Sequence, residues 1–530
     1  MKTLKNVLEY LENTAMKYRD KIAVIDEEDK VTYGELITKA KIVGSYLCSK
    51  IEPNKPVAIF MDKSVKTLEL FMGVLYAGCF YTLIDPSFPD NRIKQILEIA
   101  KVNLIITDDD NYDKLSRIVK KENIINVKNI SSIASVKSLY GHGVRDNSCF
   151  DSILFTEEKN LESIRNNMTG EEPVYCNFTS GSTGIPKGVL ISHKAVINFI
   201  DSFVDTFKII DQDVIGNQAP FDFDVSVKDI YSCLKTGATL VIIPKSYFMF
   251  PTKVMDMLEQ YKVTTIIWAV SALVMITRLH GLKYKTPRSI NKIMFSGEQM
   301  PLKQLNKWRK IYNKAMFVNL YGPTEITCNC TYYILDREFL DDEKLPIGKA
   351  FSHNEVLLVN DGNSISEKMI NKCGEVCVAG DSLANGYINN KEMTDKSFVT
   401  NKAFGKKRLY KTGDIAYWGE DGLLYFAGRK DFQIKHMGHR IELEEVERIL
   451  GSLSVVDHAC CFFDNIKNKI VAFIVGSNDK RAIINEMKKS VPEYMIPNVF
   501  KNVDTLPINK NGKTDRKLLK QMYMEERING

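Results

Sequence analysis

Twice along its 530 residues the chain alternates short, β-branched apolar runs with helix-length amphipathic stretches. The first passage reads as a strand at Pro56-Val57-Ala58-Ile59-Phe60 and a helix from Lys63 to Tyr76. A strand from Tyr81 to Ile84, a helix near Arg92 to Lys101 and a strand from Asn103 to Thr107 follow. In the second, the runs Ala238 to Ile243, Thr264 to Trp268, Lys292 to Ser296 and Met316 to Leu320 are separated by helical stretches. Consecutive strands joined by helices must run parallel and be covered on both faces, so the spacing predicts an α/β protein with two similar sheets. After Gly428 the pattern changes to an acidic helix around Glu442 to Glu447 and two strands, Asp457 to Phe463 and Lys469 to Gly476. This predicts a smaller α+β C-terminal domain. The stretch from Lys128 to Glu172 is polar and reads as an irregular surface excursion.

A chain of this length exceeds one typical core. Its 72 Lys and Arg against 66 Asp and Glu give a net charge of +6, and no basic tract interleaved with aromatics is present, so nucleic acid is not expected as a partner. Met1 to Tyr10 carries periodic apolar positions and reads as a helix, not a signal peptide, and no window is apolar enough to span a bilayer. No membrane partner and a cytoplasmic location are expected. The 11 cysteines are scattered without zinc-type spacing and read as reduced, mostly buried thiols.

Between two apolar segments lies Thr179-Ser180-Gly181-Ser182-Thr183-Gly184-Ile185-Pro186-Lys187-Gly188. Small residues let backbone N–H groups approach phosphate oxygens, hydroxyls add donors and a lysine offsets negative charge. A P-loop would end in Gly-Lys-Ser/Thr and open a helix. Here Pro186 precedes Lys187, Gly188 follows it and Val189-Leu190-Ile191-Ser192 reads as a strand, so a P-loop ATPase or kinase is excluded.

Further segments recur in a telling order: Val31-Thr32-Tyr33-Gly34-Glu35-Leu36, Ile84-Asp85-Pro86, Phe223-Asp224-Val225-Ser226, Tyr321-Gly322-Pro323-Thr324-Glu325, Tyr410-Lys411-Thr412-Gly413-Asp414, Gly428-Arg429-Lys430-Asp431, Gly438-His439-Arg440 and Asn511-Gly512-Lys513-Thr514-Asp515-Arg516. Together with the phosphate loop, this series resembles the adenylate-forming superfamily of acyl-CoA synthetases, nonribosomal peptide adenylation domains and luciferases. Asp431-Phe432-Gln433-Ile434-Lys435 and the length look most like amino acid adenylation domains, including D-alanine:carrier-protein ligases. The resemblance implies a large N-terminal AMP-binding domain (1–428) of two αβα subdomains plus a small β-barrel. It further implies a hinge (429–431) turning at Asp431 and a mobile C-terminal lid (432–530).

The implied reaction is attack of a carboxylate on the α-phosphorus of ATP, releasing pyrophosphate and forming an acyl-adenylate. The carboxylate is already ionised at neutral pH, so such chemistry depends on positioning, Mg²⁺ and fixed cations more than on a general base. By resemblance Lys513 is the catalytic lysine, with Lys187 and Thr183 from the phosphate loop; loss of Lys513 should cost about 2.7–4 kcal/mol in adenylation. Glu325 is implied as the metal ligand, a hard carboxylate for a hard cation. Asp414 is implied to hold the ribose hydroxyls, Tyr321 to stack on adenine and Arg429 to lie near ribose and phosphate. Thr179, Ser180, Gly181, Ser182, Gly184, Asn319, Gly322 and Thr324 complete the nucleotide set.

Asp224 matches the aspartate that pairs with an α-ammonium in amino acid adenylation domains, with Asp222 as a rival in register. Val225, Lys228, Ser271, Met294, Ser296, Leu320, Cys328 and Asn329 are the implied pocket walls. A buried lysine needs a partner. Lys228 therefore points either to a substrate with an acidic or amide side chain, or to a pairing with Asp222 or Asp229 that never meets substrate. Gly438 matches the loop that approaches a phosphopantetheine arm, and nothing after Arg516 resembles a carrier-protein serine motif. The expected acceptor is a separate carrier protein, with coenzyme A second. The competing readings are an acyl- or aryl-CoA ligase and a non-catalytic adenylate-binding protein, the latter disfavoured because Lys513, Glu325 and Asp414 are all present.

Overall fold

The computed structural model describes residues 4–130, 160–181, 185–360, 362–400, 406–477, 479–508 and 514–529. Its contacts divide into two compact units. One comprises residues 1–86, 100–177 and 188–428, and the other residues 87–99, 178–187 and 429–530.

The larger unit is built on three sheets. In the nine-stranded sheet the order is Lys349–Ala350, Thr331–Ile334, Met316–Tyr321, Lys292–Ser296, Thr265–Ala269, Val214–Asn217, Thr239–Ile242, Ile22–Ile25, Lys30–Thr32. The central strands from Met316–Tyr321 to Ile22–Ile25 are parallel, and the edges turn antiparallel. A seven-stranded sheet runs Gly386–Tyr387, Lys187–Ser192, Pro173–Thr179, Phe80–Leu83, Pro56–Phe60, Leu104–Thr107, Ile124–Asn126. Both βαβ passages predicted from spacing are present; Pro56–Phe60 and Lys292–Ser296 match the reading residue for residue and the other strands agree to within two residues. A six-stranded antiparallel sheet containing Asn354–Asn360, Gly374–Gly380 and Arg408–Trp418 completes the unit.

The polar stretch after Lys128 departs from expectation, because residues 160–167 are helical. Leu161 is buried in the main core and Arg165 clasps Glu12 through two hydrogen bonds of 2.8 and 3.0 Å. The apolar positions there were too few to show a period.

Local chemistry explains one recurring segment. Thr32 and Glu35 form a reciprocal capping box at the start of the helix Tyr33–Cys48. The fully buried Tyr33 then donates its hydroxyl to the carbonyls of Cys233 (2.7 Å) and Ala238 (2.6 Å), pinning that helix to the end of Val225–Thr236.

In the smaller unit a two-residue hairpin, Gln433–His436 with His439–Glu442, precedes the helix Leu443–Gly451. A three-stranded sheet follows, Val456–Asp464, Lys469–Gly476 and Val499–Asn502, packed on the apolar face of that helix. The helix Arg516–Asn529 ends the unit, with Asp515 accepting hydrogen bonds from the backbone N–H groups of Lys517 and Leu518.

Candidate active site

In the larger unit, most of the residues implied for the pocket and the nucleotide lie on or just after the parallel strands, toward the carboxyl ends where open α/β sheets bind ligands. Asp224, Val225 and Lys228 lie at the start of the helix that follows Val214–Asn217. Ser271 opens the helix after Thr265–Ala269, Met294 and Ser296 are on Lys292–Ser296, and Asn319, Leu320 and Tyr321 end Met316–Tyr321. Met294 and Leu320 are also part of the main apolar core.

One loop, Gly322 to Cys330, joins the residues implied for the nucleotide to those implied for the pocket. Its entrance is so tight that a Cβ on Gly322 would stand 2.5 Å from the Asn329 Cα and 2.8 Å from the Cys328 carbonyl, so only glycine fits. Thr327 (φ 49°) and Cys328 (φ 72°) both adopt left-handed backbone, an unusual pair for side-chain-bearing residues. The loop buries Glu325, which accepts a hydrogen bond of 2.8 Å from the Tyr387 hydroxyl. Among the described residues no group of three or more carboxylate, histidine or cysteine side chains could hold a metal alone. A single buried carboxylate still fits Mg²⁺, which is usually held by one or two carboxylates plus substrate phosphates. Such an ion supplies charge neutralisation at phosphate oxygens.

Tyr321 and Asp414 are brought together: the buried Tyr321 hydroxyl donates to Asp414 Oδ2 at 2.5 Å. Burial, then the Asp414 charge, pushes the Tyr321 phenol well above its ordinary pKa, so it remains a donor. The Asp414 backbone N–H donates to Thr412 Oγ1 (3.0 Å), whose hydroxyl donates to the Val376 carbonyl (2.8 Å), fixing the carboxylate on its strand. Asn319 donates to the Pro346 carbonyl at 2.7 Å.

On the pocket side, Asp224 is buried and its side chain does not cap the helix it precedes; its carbonyl accepts from the Cys328 thiol at 2.9 Å. Asp222 belongs to a different group. Burial, then Asp85, raises its carboxyl to about 7. Lys228 is fully buried and pairs with neither Asp222 nor Asp229; it donates to Asn329 Oδ1 at 2.8 Å. Asp229 Oδ2 instead accepts from Asn217 Nδ2 at 2.7 Å, and burial raises its carboxyl to about 7.

Sequence reasoning missed Lys63. Its ammonium is ringed by Asn217 Oδ1 (2.9 Å) and the carbonyls of Gln218 (2.9 Å), Ala219 (3.3 Å) and Asn217 (3.4 Å), bracing the loop that leads to Asp224. Burial lowers its pKa to about 7. A lone lysine between a strand and a helix gives no sequence signal for such a role.

In the smaller unit, Ser180 Oγ donates to the Arg440 carbonyl at 2.6 Å and Lys187 pairs with Glu442 at 3.4 Å. Glu442 also accepts from Gln433, and Gln433 Oε1 accepts from Arg440 Nε at 2.7 Å. Arg429 grips Asp431 in a fork of 2.6 and 2.7 Å. Burial raises the Asp431 carboxyl, but Arg429 outweighs it and the net shift is down. Arg92 and Glu445 form a buried pair at 3.2 Å. The hairpin tip holds Met437 (φ 53°) and Gly438 (φ 83°), the left-handed pair a tight hairpin turn requires. Ser182, Thr183, Gly184 and Lys513 lie outside the described residues; the Asp515-Arg516 end of the latter's motif is anchored by an Arg516–Glu447 ion pair.

Family models match most of the chain. Residues 11–388 match the AMP-binding enzyme model and residues 445–513 that of the AMP-binding enzyme C-terminal domain. The chain belongs to the AMP-binding enzymes. It is 31% identical to Zwittermicin A synthase ZmaJ of Bacillus cereus, covering 96% of this chain and 93% of that protein. It is 30% identical to a D-alanine--D-alanyl carrier protein ligase of Bacillus cereus, covering 97% and 98%. Bacitracin synthase 1 of Bacillus licheniformis is 32% identical over 97% of this chain, yet the chain spans only 9% of that protein's length. The fold matches the Vibrio cholerae adenylation domain AlmE, solved with glycyl-adenosine-5'-phosphate, at a TM-score of 0.82, with 21% identity and 99% of each chain covered. This AMP-binding enzyme is therefore an adenylate-forming ligase by family, and none of its described helices is long and apolar enough to cross a membrane.

Proposed function

We propose that the protein activates an amino acid with ATP to an aminoacyl-adenylate and pyrophosphate, then transfers the acyl group to the phosphopantetheine thiol of a separate carrier protein. Asp224 carries this reading. A buried carboxylate that does not cap its own helix, joined through Cys328 to the loop bearing Glu325, suits a substrate α-ammonium held next to the nucleotide corner. In this reading Asp414 takes the ribose hydroxyls, Tyr321 the adenine face and Glu325 the magnesium ion. Lys187 and Lys513 bear on phosphate and carboxylate oxygens where negative charges converge, and residues 432–530 turn about Asp431 between the two half-reactions. The name of the D-alanyl carrier protein ligase relative supports a carrier-bound thiol as acceptor, and the Met437-Gly438 tip offers a close-approach loop for its arm.

Substrate-dependent ATP–pyrophosphate exchange across L- and D-amino acids, with benzoates and short fatty acids as controls, tests it. We expect exchange with an amino acid and a loss on the order of 10²–10³-fold in Lys513→Ala. Exchange with the controls alone would make the protein an acyl or aryl ligase.

A further inference from the structure

Among the implied pocket residues, Lys228 and its neighbours offer more buried hydrogen-bond donors than the described residues match with acceptors. Lys228 lies on the first turn of Val225–Thr236, has no exposed surface, and carries three N–H donors. Its one hydrogen bond among the described residues goes to a neutral amide oxygen, Asn329 Oδ1 at 2.8 Å, and no described carboxylate lies within 4.0 Å of its ammonium.

That bond also decides which way Asn329 faces. Lysine cannot accept, so the atom it meets must be the amide oxygen, and the Asn329 NH₂ is turned away from it. This NH₂ donates to nothing among the described residues, although Asn329 is buried. A third donor comes from the neighbouring sheet. The Tyr175 hydroxyl is fully buried and unpartnered, whereas the nearby Tyr81 and Tyr231 hydroxyls satisfy each other at 3.1 Å. Tyr175 stacks on Tyr81 with ring centroids 6.0 Å apart, and Tyr81 meets Tyr231, which stands about one turn after Lys228 on the same helix. Burial holds the Tyr175 phenol well above its ordinary range, so it keeps its proton to donate, and holds Lys228 below its own, so the lysine gains if an anion arrives.

The polar groups around Lys228 cannot supply that anion. Asp229 is turned to Asn217 and pushed toward neutrality by burial, the Cys328 thiol is spent on the Asp224 carbonyl, and Asp224 itself lies where the α-ammonium is assigned. A buried cation with one neutral partner is costly unless something charged completes it.

We propose that the amino acid activated here carries a carboxylate on its side chain, received by Lys228 and the Asn329 amide NH₂, with the Tyr175 hydroxyl as third donor. The proposal rests on the amino acid reading above and gives that reading its substrate class: a dicarboxylic α-amino acid.

The test is pyrophosphate exchange with aspartate, glutamate and 2-aminoadipate in both L and D forms, against asparagine, glutamine, alanine and leucine, and against benzoate and short fatty acids. It is run on the wild-type chain, Lys228→Met and Asn329→Asp, with melting temperatures recorded for each. The wild type should favour one dicarboxylic amino acid about 100-fold over alanine, and clearly over the corresponding amide. Lys228→Met should lower that activity about 100-fold while raising exchange with glutamine or leucine above wild type, a change of preference that a purely structural lysine would not produce. Asn329→Asp keeps Lys228 but gives it an internal anion, and should abolish the dicarboxylic preference with melting unchanged; it decides the matter even if Lys228→Met fails to fold. Wild-type preference for alanine or leucine, or an equal loss on every amino acid in a stably folded Lys228→Met, overturns the proposal and leaves the amino acid reading standing. Exchange with benzoate or fatty acids alone overturns both.

Discussion

Buried charges beside the implied pocket of the larger unit and around the hairpin of the smaller unit are held in opposite ways, while elsewhere in the larger unit Lys292 meets Asp213 and Arg165 meets Glu12. In the larger unit, Lys228 and Lys63 are buried against neutral oxygens, and Asp229 against a neutral amide. In the smaller unit Lys187 meets Glu442, Arg92 meets Glu445, Arg429 meets Asp431 and Arg516 meets Glu447. Charges buried against neutral groups are costly in the free protein and are suited to a ligand that brings the missing charge. Charges paired with one another are already compensated, and a ligand must exchange partners with them. In the proposed reading, the difference separates a pocket that selects its occupant from segments whose contacts are traded during a cycle.

The strongest challenge to this contrast is at the nucleotide corner. If Asp414 is a fixed acceptor for two ribose hydroxyls, Asp414→Asn should lower kcat/KM for ATP about 100-fold, since hydrogen bonds to a charged group contribute about 1.5–3 kcal/mol each. Tyr321→Phe, which removes the 2.5 Å bond that orients the carboxylate, should cost about tenfold. Steady-state kinetics with ATP varied decides it, and unchanged kcat/KM in Asp414→Asn would remove that residue from the site. A smaller effect tests the other side. If Lys187 bears on phosphate, Glu442 competes for it, and Glu442→Gln should lower the KM for ATP about fivefold, the equivalent of about 1 kcal/mol. A raised KM would mean instead that the pair shapes the loop.

Much of the frame was legible because it rests on local rules. The strands Pro56–Phe60 and Lys292–Ser296 were readable from β-branched runs bounded by breakers, whereas Thr32 with Glu35 was read only as part of an ordered motif and its capping box came with the structure. The grouping of Asp224, Cys328 and Asn329 followed from ordered motifs but not from periodicity. What stayed hidden depends on contacts distant in sequence: Lys63 on the carbonyls of 217 to 219, Tyr387 on Glu325, Glu442 on Lys187, and the unpartnered hydroxyl of Tyr175. Each is an ordinary residue type whose meaning comes from what the fold sets opposite it. The helix at residues 160–167 escaped for a related reason, being held by Arg165 on Glu12 and by the burial of Leu161 more than by its own pattern.

The smallest effect concerns a buried titratable group outside the pocket, and it keeps pH effects on the pocket from being confused with pH effects on the whole unit. His193 opens the helix His193–Phe207, fully buried, its Nδ1 accepting the Val7 N–H at 3.2 Å. Burial lowers its pKa from 6.5 to about 3. In the folded protein it therefore stays neutral where the unfolded chain would bind a proton. The stability it confers is whole above pH 6.5 and is lost as pH falls from there toward 3. His193→Asn keeps an acceptor near the Val7 N–H but cannot titrate. At pH 7.5 it should be less stable by about 1–3 kcal/mol for lost packing. Between about pH 6.5 and 4.5 its melting temperature should fall less steeply than that of the wild type, so the gap narrows. Parallel curves would assign the acid sensitivity of the unit to other groups, while a narrowing gap would let pH profiles of exchange be corrected for unfolding before any slope is attributed to Lys228.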